Sequence, residues 1–579
     1  MDNNKNFLLF VVLSIGIVFG FNYLRGTVPP PVVVEATAVP PSPVAVPAAL
    51  TLQPRAEVIK NNPRVAIQTP ELTGSINLKG VRIDDLVLPR YRETADPQSP
   101  PVTLLSPAGS APPANAFYTE FSWLAADKDV AMPTADSLWQ ADGKILTPEH
   151  PLKLTWKNAG GLQFERTIAV DEHYMFTLTD HVVNNGAAAV TLYPFGLVAQ
   201  QGNPTAKTSS LLHEGMLGVF DGTLDDVKYA KLISLGKKAR ESEGGWLGIT
   251  SKYWLVAVLP PAHEKIAANF VYDGSGVSDA DQGHFQADYR GAPIVLAAGA
   301  SAEHVTRLFA GAKRLSLLDG YADKFDVPHL DRAIDFGWRY FLAEPFLYML
   351  NFLSSLFGDL GIAILVFTVL LKLVTLPLSL KANHSAARMK LVQPELKKLQ
   401  ERFADDKLRL NQEMMALFKR EKVSPMSGCV PMLIQIPIFL ALYSVLSANI
   451  EMRHTPFFGW IHDMSEPDPT SWFNLFGLAP WALPTPFTLN LGLVTLYVPP
   501  ALHIGLWPLI MGVTMFLQQK MTPQPMDKSQ ARMFMFLPLI FTYTLSSMPA
   551  GLVIYWTWSN FLSIVQQWVI MRRDAKGAV

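Results

Sequence analysis

A single lysine lies inside an otherwise uncharged apolar stretch of this chain. Lys372 falls within residues 361–380, which are long and apolar enough to cross a bilayer. A charge at that depth costs about 2.5–3.5 kcal/mol on insertion scales, so it normally faces a polar cavity or a partner. Thr368, Thr375 and Ser379 share a helical face with Lys372. This pattern predicts a cation in an inward-facing polar groove, where it would attract acidic groups.

The same lysine could instead reach the membrane surface by extending its side chain. The charged residue toward that end is Lys381, roughly 13 Å away along the axis at about 1.5 Å per residue. The aliphatic stem spans only part of that distance. We therefore prefer the groove interpretation, and the snorkelling alternative stays open.

Other apolar segments carry uncharged polar residues at comparable depth. One such stripe has i+4 spacing and consists of Tyr555, Ser559, Ser563 and Gln567. Each residue alone is typical of hydrogen bonding between spans. Several polar stripes together with one cation favour a shared wet groove. The predicted groove residues are Lys372, Thr368, Thr375, Gln435, Thr514, Gln518, Ser559 and Asn560.

Flexible and aromatic apolar residues gather on the same segments, and methionines are frequent between residues 511 and 548. Flexible thioethers suit a surface that accepts many apolar partners, although they also fill gaps in loosely packed bundles. The predicted apolar slide beside the groove consists of Pro431, Pro437, Phe439, Met511, Met515 and Trp556.

The N-terminal half divides into three segments. Residues 1–24 contain an apolar run without a small-x-small site directly after it, so we predict an uncleaved transmembrane anchor rather than a signal peptide. Residues 25–54 are rich in Pro, Val and Ala, which is typical of an extended linker. Residues 55–327 contain strand-like alternation and turn signals, as in residues 162–186 and 245–260, and predict a β-sandwich.

The C-terminal half predicts a polytopic helical membrane protein. Residues 328–350 are amphipathic and aromatic-rich, which is typical of an interfacial helix. We expect the β domain to contact the groove only through this helix, near Trp338 and Phe346. The remaining predicted segments are the second span 351–380, a helical hairpin 381–425, the third span 426–448, a loop 449–500, the fourth span 501–518, a loop 519–532, the fifth span 533–548, the sixth span 551–571 and a short tail 572–579.

Lys and Arg set the expected orientation. They are concentrated in residues 381–422, 520–532 and 572–576, so these segments and both termini are predicted to be cytoplasmic, with the β domain outside. Residues 488–499 are too short for a span of roughly 20 residues and predict an interfacial or re-entrant segment.

The predicted hairpin carries apolar stripes on both helices. We expect Asp405 and Asp406 to cap its second helix and Pro394 to kink or restart its first. Its length favours a docking element over a merely solvated basic loop.

Composition excludes several classes of protein. Charged residues make up 17% of the chain, against roughly 25% in soluble proteins. The net charge of −1 gives no bias toward nucleic acid, so direct DNA binding is not expected. The one cysteine, Cys429, excludes an intrachain disulfide and a Cys-based metal site. Neither a Walker-type loop nor HExxH nor GxSxG is present, so we predict neither an enzyme nor a cofactor.

Several long motifs closely resemble the YidC-type membrane protein insertases. They occupy residues 389–425, 428–446, 458–469, 511–523 and 551–567. The resemblance covers about residues 331–571, and the anchor with its β domain resembles the Gram-negative form. It implies an inner-membrane insertase and chaperone with six spans, a five-helix core and a hydrophilic groove open to cytoplasm and lipid. It also implies a periplasmic β-supersandwich similar to galactose mutarotases.

The partners implied by the resemblance are nascent membrane proteins, the Sec translocon, the lipid bilayer and a ribosome docked on the hairpin. Three features depart from the family. Lys372 stands where the family usually has arginine, residues 471–500 look like an insertion, and the tail after Met571 is short. Lysine keeps the charge but lacks the planar fork of arginine, and the short tail puts ribosome binding through a long basic tail in doubt.

Two other functions were weighed against insertion. A secondary transporter of an anionic solute predicts internal repeats, and the sequence shows none. A membrane-tethered carbohydrate-active protein requires a carboxylate and a histidine that converge in a pocket of the β domain.

Overall fold

The computed structural model describes residues 52–205, 212–403, 406–421, 430–478, 487–490, 495–498, 503–521 and 528–577. The predicted anchor, residues 1–24, and nearly all of the linker lie outside the described residues. The described chain begins with a β domain and continues into a set of long helices.

Two large, mostly antiparallel sheets form the β domain. The first has eleven strands in the spatial order β14 (Lys237–Glu243), β17 (Lys265–Asp273), β18 (His284–Arg290), β11 (Val190–Gln201), β5 (Phe117–Ala125), β3 (Arg82–Arg92), β2 (Thr73–Asn77), β1 (Arg64–Gln68) and β7 (Ile145–Leu146), with β19 (Ile294–Leu296) beside β11 and β4 (Pro101–Leu105) beside β3. The second has nine strands in the order β13 (Thr223–Lys228), β12 (Gly215–Phe220), β15 (Trp246–Thr250), β16 (Trp254–Leu259), β20 (Ser301–Ala312), β10 (Met175–Asn184), β9 (Leu162–Val170), β8 (Leu152–Lys157) and β6 (Gln140–Ala141).

Period-two burial places the core between these sheets. Every second residue of β9 is buried, from Leu162 to Val170, as expected for a strand with one apolar face. Phe164 of the second sheet and Trp123 of the first belong to the same hydrophobic core. The predicted β-sandwich is therefore confirmed. So are its two predicted strand pairs, since β9 pairs with β10 and β15 with β16.

Ten helices are described: α1 (Arg55–Lys60), α2 (Tyr229–Leu235), α3 (Leu315–Phe325), α4 (Tyr340–Phe357), α5 (Leu360–Arg402), α6 (Lys407–Arg420), α7 (Val430–Ala448), α8 (Leu506–Met521), α9 (Lys528–Leu545) and α10 (Ala550–Gly577). Short 3₁₀ turns are Ala280–Gln282, Leu330–Ala333, Gly337–Arg339, Ile450–Met452 and Trp472–Gly477.

No helix boundary separates the predicted second span from the first helix of the predicted hairpin, because both lie in α5. α5 continues from Leu360 to Arg402 through Pro377 and Pro394, so Pro394 does not restart the helix, and the alternative of a kink there stays a prediction. α6 packs along the second half of α5 through Leu396 and Phe418, which are both buried. These contacts hold the helix together past a residue that removes one backbone hydrogen bond.

Two further boundaries differ from expectation. The interfacial helix begins at Tyr340, after two 3₁₀ turns, and ends at Phe357 because Gly358 adopts φ +69° and closes the last turn. In the predicted interfacial or re-entrant segment, β21 (Phe487–Asn490) pairs with the antiparallel strand β22 (Thr495–Val498).

Among the described residues, the β domain contacts α4 and also the turn after α7. One contact is made by the interfacial helix, as expected. The Tyr348 hydroxyl of α4 donates to the Asp319 carboxylate of α3. In addition, Arg453, just beyond α7, donates to the Glu93 carbonyl at 3.1 Å and lies 5.5 Å from the Trp254 ring centroid. The turn after α7 therefore also reaches the β domain. The expectation that the β domain contacts the groove only through the interfacial helix stays a prediction.

The same expectation named Trp338 and Phe346. Trp338 is 60% exposed, and Phe346 packs against Phe367 of α5 with ring centroids 5.1 Å apart. Phe346 therefore joins α4 to α5, another helix of the helical part. Burial also raises the pKa of Glu451, which lies in the turn beside Arg453.

Arg453→Ala is expected to loosen this joint and to accelerate proteolysis in residues 326–339 by roughly three- to tenfold, since a cation–π contact contributes about 0.5–2 kcal/mol. Limited proteolysis of the purified protein measures it. Arg402→Ala is the matched control, because Arg402 lies over the Phe403 ring in the hairpin at 5.6 Å. Equal cleavage rates in both variants would contradict a joint at Arg453.

Candidate functional site

One described helical segment is long and apolar enough to cross a bilayer, namely Leu360–Leu380 of α5. Gln435–Ala448 of α7 and Phe534–Leu545 of α9 are shorter apolar helical segments. On α5, Leu373 and Val374 are exposed. Lys372 therefore lies on a helix whose outward residues suit lipid.

The Lys372 ammonium points toward α10. Its Nζ donates to Ser563 Oγ at 2.9 Å, and that hydroxyl donates to the Ser559 carbonyl at 2.9 Å. Among the side chains that the structure describes, Lys372 has no carboxylate within 4.0 Å. This geometry does not favour snorkelling toward Lys381. A cation whose described partner is a neutral hydroxyl can still attract an anion.

The two threonines on the Lys372 face bond to their own helix. Thr368 is buried and donates to the Ile364 carbonyl at 2.7 Å, and Thr375 donates to the Leu371 carbonyl at 2.8 Å. Such local bonds use the hydroxyl proton and leave acceptor lone pairs.

The other predicted groove residues join α10 to its neighbours. Gln435 of α7 donates to the Tyr555 hydroxyl at 3.0 Å, and Asn560 donates to Thr514 of α8 at 3.3 Å. Ser559 is buried, and Gln518 is partly exposed on α8. The polar face of α10 therefore contacts α5, α7 and α8.

Two residues of this arrangement were absent from the predicted groove set. Ser563 is the described partner of Lys372, and Tyr555 is the partner of Gln435. The i+4 stripe of α10 already contained both, so its spacing was the signal. One turn farther, the Gln567 Oε1 atom is buried without a described hydrogen-bond partner.

Most of the predicted slide residues form an internal cluster. Met511 is fully buried against Leu545 and Val553. The Phe439 and Trp556 ring centroids are 4.3 Å apart. Met515 also packs on this cluster, while Pro437 is exposed. The side chain of Pro431 lies outside the described residues. In this arrangement Met511 is not a surface residue, so it cannot form part of an open slide.

Exposed apolar residues lie on one face of α8 and on one face of α9. They are Val513, Phe516, Leu517, Met535, Phe536, Leu539 and Ile540. This set, which we call the α8–α9 face, offers an apolar surface that the internal cluster does not.

The start of α8 is capped from a distant loop. Asp468 Oδ2 accepts from the Trp507 backbone N–H at 2.8 Å, and Thr470 Oγ1 accepts from the Leu506 N–H at 2.9 Å. Asp468 Oδ1 also accepts from the Trp460 indole at 3.1 Å. Backbone donors at a helix start otherwise lack partners, so this loop fixes where α8 begins.

The hairpin of α5 and α6 has its own small core. Val392, Leu396, Leu417 and Phe418 are buried together. Asp406 Oδ1 accepts from the Arg409 N–H at 3.0 Å, which confirms the predicted cap for Asp406. Asp405 lies outside the described residues.

Carboxylates and one histidine meet where the β domain adjoins α4. A cleft of about 530 Å³ between α3 and α4 is lined by Asp319, Asp331, Glu344 and His329, among others. Burial and the neighbouring Asp319 raise the pKa of Asp331. The hydroxyls of α4 donate to two of these carboxylates, Tyr340 to Asp331 and Tyr348 to Asp319. These bonds tie α4 to the β domain.

Comparisons with known proteins decide between the alternatives. Residues 352–577 match the model of the 60Kd inner membrane protein family, and residues 64–349 match that of the YidC periplasmic domain. A relative from Methylobacterium nodulans named membrane protein insertase YidC is 44% identical, over 99% of this chain and 96% of its own length. The chain belongs to the YidC family of membrane protein insertases.

Other relatives are also named membrane protein insertase YidC. The one from Rhizobium etli is 42% identical over 99% of this chain and 96% of its own length. A crystal structure of an active YidC insertase is similar with a TM-score of 0.35 and 14% identity, covering 87% of this chain and 92% of that one.

Membership settles the coarse description. The protein is a membrane protein insertase of the inner membrane, with a periplasmic β-sandwich domain and a helical core, and it is not an enzyme. The transporter and carbohydrate-active alternatives are not favoured.

Proposed function

We propose that this insertase passes nascent membrane proteins from the cytoplasm into the lipid through a groove centred on Lys372. The observation that supports this most is the Lys372 ammonium, which contacts Ser563 on another helix and has no described carboxylate partner. An acidic group of an entering segment would gain Coulomb energy there, where the effective dielectric constant is lower than in water.

The polar face of α10 lowers the cost of bringing a hydrophilic segment into the bundle. Transfer of an amide or hydroxyl without a hydrogen bond costs roughly 2–7 kcal/mol. Ser559, Ser563 and Asn560 can replace part of the lost hydration, together with Gln435 and Gln518 on neighbouring helices. Thr368, Thr375 and Thr514 contribute acceptor oxygens.

The apolar part of a client would leave along the α8–α9 face rather than through the buried cluster at Met511. Its side chains are already exposed, so no packing needs to be broken. Flexible methionine such as Met535 suits clients of varied sequence.

The proposed topology follows the distribution of Lys and Arg. Both termini and the hairpin of α5 and α6 lie in the cytoplasm, and six spans connect them to the periplasmic domain. The anchor would be the first span, residues 360–380 the second, and α7, α8, α9 and α10 the others. The basic hairpin would dock the ribosome or the Sec translocon.

Photocrosslinking of a stalled single-span nascent protein tests this route. Crosslinkers that replace Met535 and Leu539 are expected to capture it at least about fivefold more strongly than one that replaces Leu138, since a membrane-embedded client contacts lipid-facing helices first. Met535 and Leu539 are 53% and 66% exposed, and Leu138 of the β domain is 60% exposed.

Exposure is thus matched between the test and control positions. A crosslinker at the buried Met511 should capture less than either α9 position. Strong capture at Leu138 or at Met511 would contradict an exit along the α8–α9 face.

A further inference from the structure

The loop between α7 and α8 contains a long uncharged segment. Between Asp468 and Lys520 the sequence has no Asp, Glu, Lys or Arg, and it includes Trp472, Trp481 and Trp507. Loops that remain in water are normally polar. This one has the composition of a segment in contact with lipid.

The beginning of this segment exposes large apolar side chains. We call residues 471–478 the insert turn; it contains the 3₁₀ helix Trp472–Gly477. Trp472 is 51% exposed, Leu475 58% and Leu478 87%. Phe458, in the preceding part of the loop, is 61% exposed. These exposed side chains form an apolar surface.

The insert turn is attached to the outer end of α8. The Trp472 N–H donates to the Ile504 carbonyl at 3.4 Å. Directly before it, Thr470 and Asp468 accept from the first N–H groups of α8. The depth of the insert turn along the membrane normal is therefore fixed by the depth at which α8 begins.

α8 is short for a membrane span. Its 16 residues give a length of about 24 Å, against a hydrocarbon thickness of about 30 Å. Lys520, in its last turn, is exposed and lies 4.7 Å from the Phe516 ring centroid. A lysine at a helix end marks a membrane–water boundary. The missing apolar length, roughly 6 Å, therefore falls at the outer end, where the insert turn is attached.

We propose that the insert turn lies in the outer-leaflet interface of the bilayer and extends the apolar surface of α8 there. Trp472 occupies the headgroup boundary, which indole rings prefer. Leu475 and Leu478 enter the upper acyl region, and the absence of charge across the segment removes the main opposition to that contact. The inference rests on the proposed placement of α8 across the membrane.

The test measures the depth of a nitroxide label in liposomes of phosphatidylethanolamine and phosphatidylglycerol. Single cysteines are placed in the full chain with Cys429→Ser, as Leu475→Cys or Leu478→Cys. Collision of the label with a water-soluble nickel chelate is compared with collision with oxygen. Leu138→Cys, at 60% exposure in the β domain, is the aqueous control, and Val513→Cys, at 59% on α8, is the lipid control.

The nickel chelate is expected to reach Leu475→Cys and Leu478→Cys about fivefold less than Leu138→Cys, with high oxygen collision as at Val513→Cys. Adding Trp472→Ser should partly restore access at Leu478→Cys, because the interfacial anchor is lost. Low nickel access without dependence on protein concentration supports the inference.

Other outcomes overturn it in distinguishable ways. Aqueous labels in the insert turn with a lipid-exposed Val513→Cys disprove the inference and leave the placement of α8 intact. An aqueous Val513→Cys disproves that placement itself. Spin–spin broadening that disappears on dilution with unlabelled protein identifies a second copy as the partner. Protection that requires added Sec translocon identifies the translocon.

Discussion

Lys372→Glu is expected to abolish membrane protein insertion, whereas Lys372→Arg should retain it. Two unit charges 4 Å apart interact by about 4 kcal/mol at an effective dielectric constant of 20, and about 1.4 kcal/mol corresponds to a factor of ten. Turning that attraction into repulsion is therefore expected to lower the insertion of clients with acidic segments by tenfold or more. Arginine keeps the positive charge, so the attraction survives.

Depletion of the wild-type protein followed by expression of each variant measures this effect. The readout is the fraction of a single-span client that becomes protected in the membrane, at matched levels of each variant. Ser563→Ala is the control, because it removes the described hydrogen-bond partner of Lys372 and leaves the charge in place. It should retain most of the activity.

Lys372→Gln separates charge from polarity at the same position. Partial activity, strongest for clients without acidic residues near the span, would agree with a groove that also works by hydration. Normal complementation by Lys372→Glu would show that electrostatic attraction at Lys372 has no part in insertion.

Disrupting the core of the hairpin is expected to stop insertion, while removing the β domain should not. Leu396 and Phe418 are 1% and 7% exposed between α5 and α6. A carboxylate at either position would be buried without a partner at a cost of several kcal/mol. The cluster has four buried residues, and their burial does not stabilise the hairpin enough to offset that cost. Leu396→Asp with Phe418→Asp should therefore unfold the hairpin and abolish docking.

Leu408→Asp is the matched control for this pair. Leu408 lies on α6 in the same hairpin but is 74% exposed, so the new carboxylate remains hydrated. Insertion should be close to wild type. Deletion of residues 390–419 should reproduce the effect of the double substitution, measured by the same client-protection assay.

Deletion of residues 65–316 tests the other half of the comparison. It removes the partners of Arg453 and most of the sandwich, but it leaves α4 and every helix around Lys372. Insertion should persist at matched membrane levels. If that deletion stops insertion while the hairpin variants are tolerated, the working surface lies on the periplasmic side and the proposed groove is wrong.

Local pattern was enough to predict the parts of this protein whose structure depends on near neighbours. The alternation in residues 162–186 predicted the β9–β10 pair, because side chains of a strand point to opposite faces with period two. Asp406 was predicted as a cap from its position before an apolar-periodic helix. The polar stripe of α10 followed from i+4 spacing, and the long motifs identified the family.

Tertiary structure decided which of these faces meet. Lys372 and Ser563 lie on different helices far apart in the sequence, and only the packing of α5 against α10 brings them to 2.9 Å. The packing of α8 against α9 and α10 buries Met511, which the frequency of methionine had placed on an apolar slide. α5 passes Pro394 because α6 supports it. Spacing determines the face on which a residue lies, but burial depends on what packs against that face, and those contacts come from segments distant in the sequence. In the β domain the burial of apolar surface brings such segments together, and between membrane helices van der Waals packing and interhelical hydrogen bonds do so.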